Sequence, residues 1–437
     1  MLAEIIIRPP IELNPASGAG DADGDALMVM GATAENARQP AYDQDDVSIR
    51  SAIPSVSDIY PEDSVSVRDL RRRHHQLSWM DDQQSGEPSV VSFRSEDERN
   101  LYKEFYGRTF SDHDKYMMPA DGDEHSRLDR QHLLHLLYLD GLYPEKELIE
   151  RTLQPKDPPP GILDVGTGSG RWALDMARHF PHAEVVGLDL VPPVLVTEDE
   201  IPMNCRFEVD DANLSLDHFE NSFDLVHVRS ADTGLNDLNG WFYEIAKTLR
   251  PGGLLIIANG SIQKRGADLN PLPLTDPGQP GFSWVQKTWG TIYDGYLNKG
   301  NTGVQNPLYW DDYLRKNSNF EHVCRQDYFI PIGPWKPNMS EREVMTANLM
   351  REAEVRALHA HKPHMLSQGH EEADVDMWIE RAIAEVRDLT LHGYTDWEYS
   401  IAMRKDTPWE PRLEVPPVGP GSPPRRLFPA RQNHGLQ

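Results

Sequence analysis

Between residues 161 and 259, short apolar runs alternate with stretches of helical period. The runs at 162–165, 185–190, 205–209, 223–228 and 254–258 have the length of strands bounded by turn signals. Between the first two, Ala173, Met176, Ala177 and Phe180 share one face of a helix expected over 171–180. A second helix is expected over 241–249, just before the last run. Strand and helix alternating in this way predict a parallel sheet with right-handed crossovers and helices on both faces.

The flanking segments have other patterns. Leu101, Phe105, Tyr106 and Phe110 bring apolar bulk after residue 96. Residues 124–137 read as an amphipathic helix, with Leu128, Leu133, Leu134 and Leu137 free to pack. Glu124, Arg127, Gln131 and His132 fall on another face, and Asp121 or Asp123 can cap the start. Pro155 and Pro158 to Pro160 make a stiff linker. After residue 260 the alternation stops. A loop rich in Pro and Gly over 270–281 precedes aromatic helices over 284–297 and 310–316, a strand over 323–330, and helices over 340–359 and 373–391. From residue 405 the chain carries eight prolines and little periodicity, which reads as a disordered tail.

Composition changes the picture at the ends. The chain has 437 residues, enough at about 150 per domain for two or three domains, or for one large domain with unstructured flanks. Hydrophobic residues make up 38 % and mean hydropathy is -0.59, low for a chain that is globular throughout. Residues 1–95 look unlike a domain: 12 acidic and 3 basic residues up to Asp63 leave too little apolar surface to offset ordering entropy. Arg68, Arg71, Arg72, Arg73, His74 and His75 then form a basic cluster, which reads as a solvated patch or as a nuclear import signal. The net charge of -27 argues against direct nucleic-acid binding, which needs a basic face. Two cysteines, Cys205 and Cys324, exclude a disulfide-stapled scaffold. No apolar run reaches the roughly 18 residues of a membrane span, so a cytoplasmic protein without membrane contact is expected. The expected organisation is an acidic arm over 1–95, a helical lid over 96–156, a binding core over 157–260, a cap with further strands over 261–404, and a tail over 405–437.

The candidate chemistry starts at Asp164-Val165-Gly166-Thr167-Gly168-Ser169-Gly170, between a strand and a helix. Glycines there let backbone approach a ligand, and the helix start adds oriented N–H groups. A dinucleotide fingerprint needs its third glycine where Arg171 stands, and a phosphate-binding Lys-Ser/Thr pair is missing, so neither a pyrophosphate nor a triphosphate is the natural ligand. Asp189 ends the second strand, where an acid can accept both ribose hydroxyls of an adenosine. Asp210-Asp211-Ala212 follows the third strand; a carboxylate there can take the exocyclic amine of adenine. The run 249–254, Leu-Arg-Pro-Gly-Gly-Leu, is turn punctuation between helix and strand.

Together these residues resemble the class I S-adenosylmethionine-dependent methyltransferases over 161–259. A closer resemblance, over about 96–404, is to the fungal LaeA-like methyltransferase group. It is carried by 116–121 with Glu124, Arg127, Leu128, Gln131 and His132, by Cys205-Arg206-Phe207-Glu208, by 223–229, and by Pro331-Ile332-Gly333-Pro334-Trp335. The resemblance implies an α/β, Rossmann-like sheet of seven strands with a helical N-terminal lid and a helical, aromatic C-terminal cap. It implies S-adenosylmethionine as cofactor, no metal, and an acceptor that is a small molecule of secondary metabolism. The alternative is a regulator that keeps the cofactor fold and acts on transcription or secondary metabolism through protein partners.

The cofactor residues expected on this basis are Asp164, Gly166, Thr167, Gly168, Gly170, Asp189, Leu190, Asp210, Asp211, Ala212, Arg229, Tyr116 and Arg127. Arg127 is expected to meet the methionine carboxylate, beneath a lid over 116–132. His227 and Arg229, at the end of the fourth strand, are the candidate catalytic residues. Ser230-Ala231-Asp232 stands where the Asn/Asp-Pro-Pro-aromatic signature of amine methylation would fall, which counts against nucleic-acid bases as acceptors. His359, His361, His364 and His370 are expected in a loop, without the set of ligands that zinc takes. Trp284, Trp289, Tyr293, Tyr296, Tyr309 and Trp310 read as cap packing or as a cover over an apolar acceptor.

Overall fold

The computed structural model describes residues 101–113, 116–197 and 200–412. The acidic arm with its basic cluster, and the tail beyond residue 412, lie outside the described residues. A hairpin comes first: β1 (Tyr102–Phe105) and β2 (Arg108–Ser111) pair antiparallel around Tyr106 and Gly107, both at positive φ. The expected lid segment therefore opens with strands as well as helix. Helix α1 (Gly122–Leu139) follows, and its cap is Asp121, whose side chain accepts from the Glu124 N–H. Helix α2 is Lys146–Thr152.

The alternating region forms β3 (Gly161–Val165), α3 (Arg171–His179), β4 (Glu184–Asp189), β5 (Cys205–Val209), β6 (Phe223–Arg229), α4 (Leu238–Thr248) and β7 (Leu249–Gly260). After it come α5 (Trp284–Asn298), α6 (Trp310–Lys316), β8 (Phe320–Pro331), α7 (Glu341–Ala360), α8 (Lys362–Leu366), α9 (Glu372–Arg387) and β9 (Tyr394–Arg404). Seven strands make one sheet in the order β5-β4-β3-β6-β7-β9-β8. The first five are parallel, while β9 runs antiparallel to both β7 and β8. This is the seven-stranded α/β sheet that the resemblance implied; the residue pattern itself gave six of the strands. Strand order reverses at β3 and β6, and the crevice at such a switch point is where open α/β sheets bind ligands.

The strands alternate inward-facing residues between two cores. On one face Ile162, Leu225 and Ile256 pack with Trp172, Met176 and Ala177 of α3. On the other, Leu163, Val226 and Val228 pack with Trp241, Phe242 and Ile245 of α4. These side chains are buried, and each Val, Leu, Ile, Met or Phe among them contributes roughly 1.5–3 kcal/mol.

Four expectations need correction. Strand β9 was not among the expected strands, although Trp397, Tyr399, Ile401 and Met403 alternate there with Glu398, Ser400 and Ala402; it pairs on both sides, with β7 and β8. The turn at 250–253 is an excursion within β7, which pairs with β6 at Leu249 and resumes at Leu254. The four histidines do not share a loop: His359 ends α7, and Pro363 sits in the first turn of α8, where its missing N–H is harmless. Residues 405–412 belong to the fold, since the Trp409 indole donates to the Tyr243 carbonyl and the Glu410 N–H to Asn319 Oδ1. Among the described residues no helix is long and apolar enough to cross a membrane.

Candidate functional site

Gly166, Gly168 and Gly170 all take positive φ, between 55° and 77°, so the chain leaves β3 in a tight turn before α3. The Gly166 and Thr167 N–H groups donate to the Leu188 carbonyl at 2.8 and 3.0 Å. Thr167 Oγ1 donates to Asp164 Oδ2 at 2.7 Å. These bonds hold the loop against β4. A Cβ on Gly168 would come within 2.8 Å of Leu128 on α1, and one on Gly170 within 2.8 Å of Phe207. The Asp189 carboxylate accepts from the Gly168 N–H at 2.7 Å and from the Leu190 N–H at 2.8 Å, one bond to each oxygen. Each oxygen keeps acceptor capacity, and Asp189 lines a cavity of about 230 Å³. Burial by the cavity walls pushes its carboxyl up to about 6, against the pull of those N–H groups.

Three further segments wall the same half of the cavity. Asp210, Asp211 and Ala212 follow β5, where the carboxylates of both aspartates accept backbone N–H groups of their own turn. Helix α1 supplies Arg127, whose Nε and Nη2 bind both oxygens of Glu124 at 2.9 and 2.6 Å and whose Nη1 donates to Gln131 at 2.7 Å. Gln131 in turn donates to Ser230 Oγ at 3.1 Å, linking α1 to the end of β6. Arg171, at the position that ruled out a dinucleotide loop, is buried and reaches Asp129 of α1 at 3.2 Å. The helix is thereby fixed over the glycine loop by charge as well as packing. Tyr116 completes this half, and burial raises its hydroxyl pKa.

The cavity brings together Gly166, Gly168, Asp189 and Leu190 with the 210–212 turn, Arg229, Tyr116 and Arg127. Four expected residues do not line it. Asp164, Thr167 and Gly170 hold the loop from behind. His227 is a core histidine: it is 3 % exposed, stacks on Trp172 at 3.8 Å, and its Nδ1 donates to Asp164 Oδ1 at 2.7 Å. Burial lowers its pKa, and it does not line the cavity. The alternation in β6 turns Arg229 the other way from Val228, and its Nη2 donates to His132 Nδ1 at 3.4 Å.

The other half of the cavity is built mainly by the cap; of the aromatic stretch offered as packing or as a cover over an acceptor, Trp289 and Tyr296 line it. Asp232, in the turn after β6, lines it together with Trp289 and Tyr296 of α5, Glu354 of α7, His361, and Trp397 of β9. Gly260 makes room for the Trp397 indole, which a Cβ there would touch at 3.0 Å. Beneath lies a buried ion pair, Lys264 Nζ to Glu354 Oε1 at 2.6 Å, with both side chains under 4 % exposed. Trp289 Nε1 and Thr395 Oγ1 donate to the same carboxylate at 2.9 and 2.7 Å. His361 donates from Nδ1 to the Ala357 carbonyl at 2.7 Å, and burial drops its pKa to about 4. Among the described residues, no group of three or more His, Cys, Asp or Glu could hold a metal ion.

Known proteins supply the context for this geometry. A family described as a methyltransferase domain matches residues 162–253. The secondary metabolism regulator laeA of Coprinopsis cinerea is 32% identical over 311 residues, 70% of this chain and 74% of that protein. The protein-methionine methyltransferase laeA of Emericella nidulans is 32% identical over 272 residues, 60% of this chain and 65% of its own length, so the match spans just under two thirds of that relative. A phosphoethanolamine N-methyltransferase 2 of Haemonchus contortus, solved with S-adenosyl-L-methionine, is 17% identical over 64% of this chain and 57% of that chain, with a TM-score of 0.34.

Proposed function

The chain belongs to the laeA family of S-adenosylmethionine-dependent methyltransferases, and from that premise we propose that it methylates a small molecule seated in the aromatic half of the cavity. The observation that carries this reading is the division of one cavity into two unlike halves. One half is backbone, glycine and carboxylate. The other sets indole, phenol and thioether walls, Trp289, Tyr296, Trp397 and Met350, beside the Lys264–Glu354 ion pair.

S-adenosylmethionine, when bound, supplies a methyl group that its sulfonium has already made electrophilic. The residues present fit it. Asp189 offers two carboxylate oxygens to the ribose hydroxyls, and the Gly166–Gly168 backbone leaves room where a side chain would intrude. Asp210 or Asp211 receives the adenine amine, with Leu190 and Ala212 against the ring. Arg127 keeps N–H groups beyond those spent on Glu124 and Gln131, and these meet the methionine carboxylate. Asp164, Thr167 and Gly170 act from behind by holding the loop, and Arg229 holds α1 through His132. The chain's remaining task is to place an acceptor lone pair in line with the methyl group and keep water out.

Calorimetry with S-adenosylhomocysteine and with NAD tests the first half of the reading: the former binds and the latter does not. Incubation with labelled S-adenosylmethionine and a metabolite extract tests the second. Label in the small-molecule fraction supports the proposal. Label confined to protein favours a second reading, in which the chain acts on a regulatory partner; the relatives' names as regulators, and as a protein-methionine methyltransferase in one case, favour it.

A further inference from the structure

Asp232 closes the boundary between the two halves of the cavity. The turn that carries it is clamped from several sides. Asn306 Nδ2 donates to the carbonyls of Asp232 and Leu235 at 2.9 Å each, Asn301 Nδ2 to that of Thr233 at 2.9 Å, and Asn213 Nδ2 to that of Gly234 at 2.8 Å. The residue before it but one, Ser230, holds a positive φ of 58°, unusual for a side-chain-bearing residue. Four amide bonds and a strained backbone fix this one turn, and a solvated loop needs neither.

The carboxylate itself is hydrogen-bonded by its own N–H, by Thr233 and by the Asn259 side chain, and burial pushes it up to about 7. Tyr296, 1 % exposed, lines the same cavity, and its hydroxyl has no hydrogen-bond partner among the described residues. Leaving a buried hydroxyl unpaired is unfavourable, so such a group normally has a partner when the site is filled. The charges of Asp232 and Glu124 both bear on that hydroxyl, as does Tyr116, which also feels Asp189. The cluster therefore adjoins the ribose acid on one side and the aromatic walls on the other.

We propose that Asp232 is the proton acceptor for methyl transfer and that the acceptor is consequently a protic nucleophile, an O–H or N–H group, oriented by Asp232 and Tyr296. The proposal rests on the methyltransferase reading above. The acceptor heteroatom uses a lone pair to form its bond to the methyl carbon. The carbon–sulfur bond breaks and its pair stays on sulfur, which becomes a neutral thioether. The acceptor's proton passes to the Asp232 carboxylate and from there to water. A carboxylate with an ordinary acid pKa would be a poor acceptor near neutral pH; one held near 7 is matched to the task. A thioether acceptor has no proton to give and would have no use for it.

The test needs no knowledge of the acceptor. Sinefungin carries an amine where S-adenosylmethionine carries its methyl sulfonium, so its ammonium reports on the charge at that point. Calorimetry on the full chain should show sinefungin binding more tightly than S-adenosylhomocysteine. Asp232→Asn should erase at least tenfold of that preference and leave S-adenosylhomocysteine within twofold, and Asp232→Ala should do the same. A wild-type chain that binds both ligands equally overturns the proposal, and so does a preference that survives either substitution. Loss of S-adenosylhomocysteine binding in a folded variant also overturns it, because Asp232 would then serve the cofactor. If the wild-type chain bound neither ligand, the methyltransferase reading would be the one at fault.

Discussion

The two halves of the cavity are made of different material. The cofactor half comes from turns at strand ends, covered by one face of α1, and its key contacts are backbone N–H groups and a carboxylate, as at Gly168 and Asp189. The cap half comes from side chains more than a hundred residues apart, such as Lys264 and Thr395, gathered on one carboxylate, Glu354. Backbone recognition depends on a turn that the local sequence dictates. Side-chain recognition depends on the whole cap being assembled. The first half should therefore fail in affinity when damaged, and the second in stability.

The largest effect expected is on the cap. Lys264→Met leaves Glu354 buried without its cation, and breaking a buried pair costs about 3–5 kcal/mol. The thermal midpoint should fall by several degrees, while S-adenosylhomocysteine affinity measured below the transition stays close to wild type. Restoring part of the midpoint with Lys264→Met/Glu354→Gln would confirm that the uncompensated charge is the cause. A midpoint unchanged in the single variant would remove the contrast between the halves.

The next effect belongs to the cofactor half. Asp189→Ala removes a charge-assisted pair of hydrogen bonds of about 2–4 kcal/mol, so affinity should weaken by tens- to hundreds-fold with little change in midpoint. The wild-type chain adds a pH signature. Asp189 titrates near 6 because it is buried, and only its ionised form accepts from both ribose hydroxyls. Affinity should hold level above that value and fall about tenfold per unit below it, and Asp189→Asn should flatten the fall. Equal pH profiles for the two chains would show that Asp189 does not meet the ribose.

This difference in material also explains what could be read in advance. The glycine loop, Asp189 and the 210–212 turn follow short strands bounded by turn signals, mostly apolar in β3 and β4 and alternating in β5, so both the elements and their order were legible. The polar face of α1 was legible as a face, because residues three and four apart share a side. Its internal pairing, Glu124 with Arg127, follows from the same spacing. His227 and Arg229 share one side of β6, yet only Arg229, at the strand end, lines the cavity; His227 lies two residues deeper against Trp172, a depth that the sequence pattern does not give. Asp232 stood out only as a departure from an amine-methylating signature. Lys264, Glu354 and Trp397 gave no local signal, since neither burial nor a partner on a distant element is written in neighbouring residues. Gly260 was the one hint, an extra glycine at a strand end that makes space for an indole.

Hydrogen exchange on the full chain, with and without S-adenosylhomocysteine, tests most directly whether the two halves do different work. The account predicts added protection in 116–134, 166–170, 189–191 and 210–213, and unchanged exchange in 289–297 and 350–361. Protection gained in the cap segments with none in 116–134 or the glycine loop would contradict it, because the ligand would then occupy the half assigned to the acceptor.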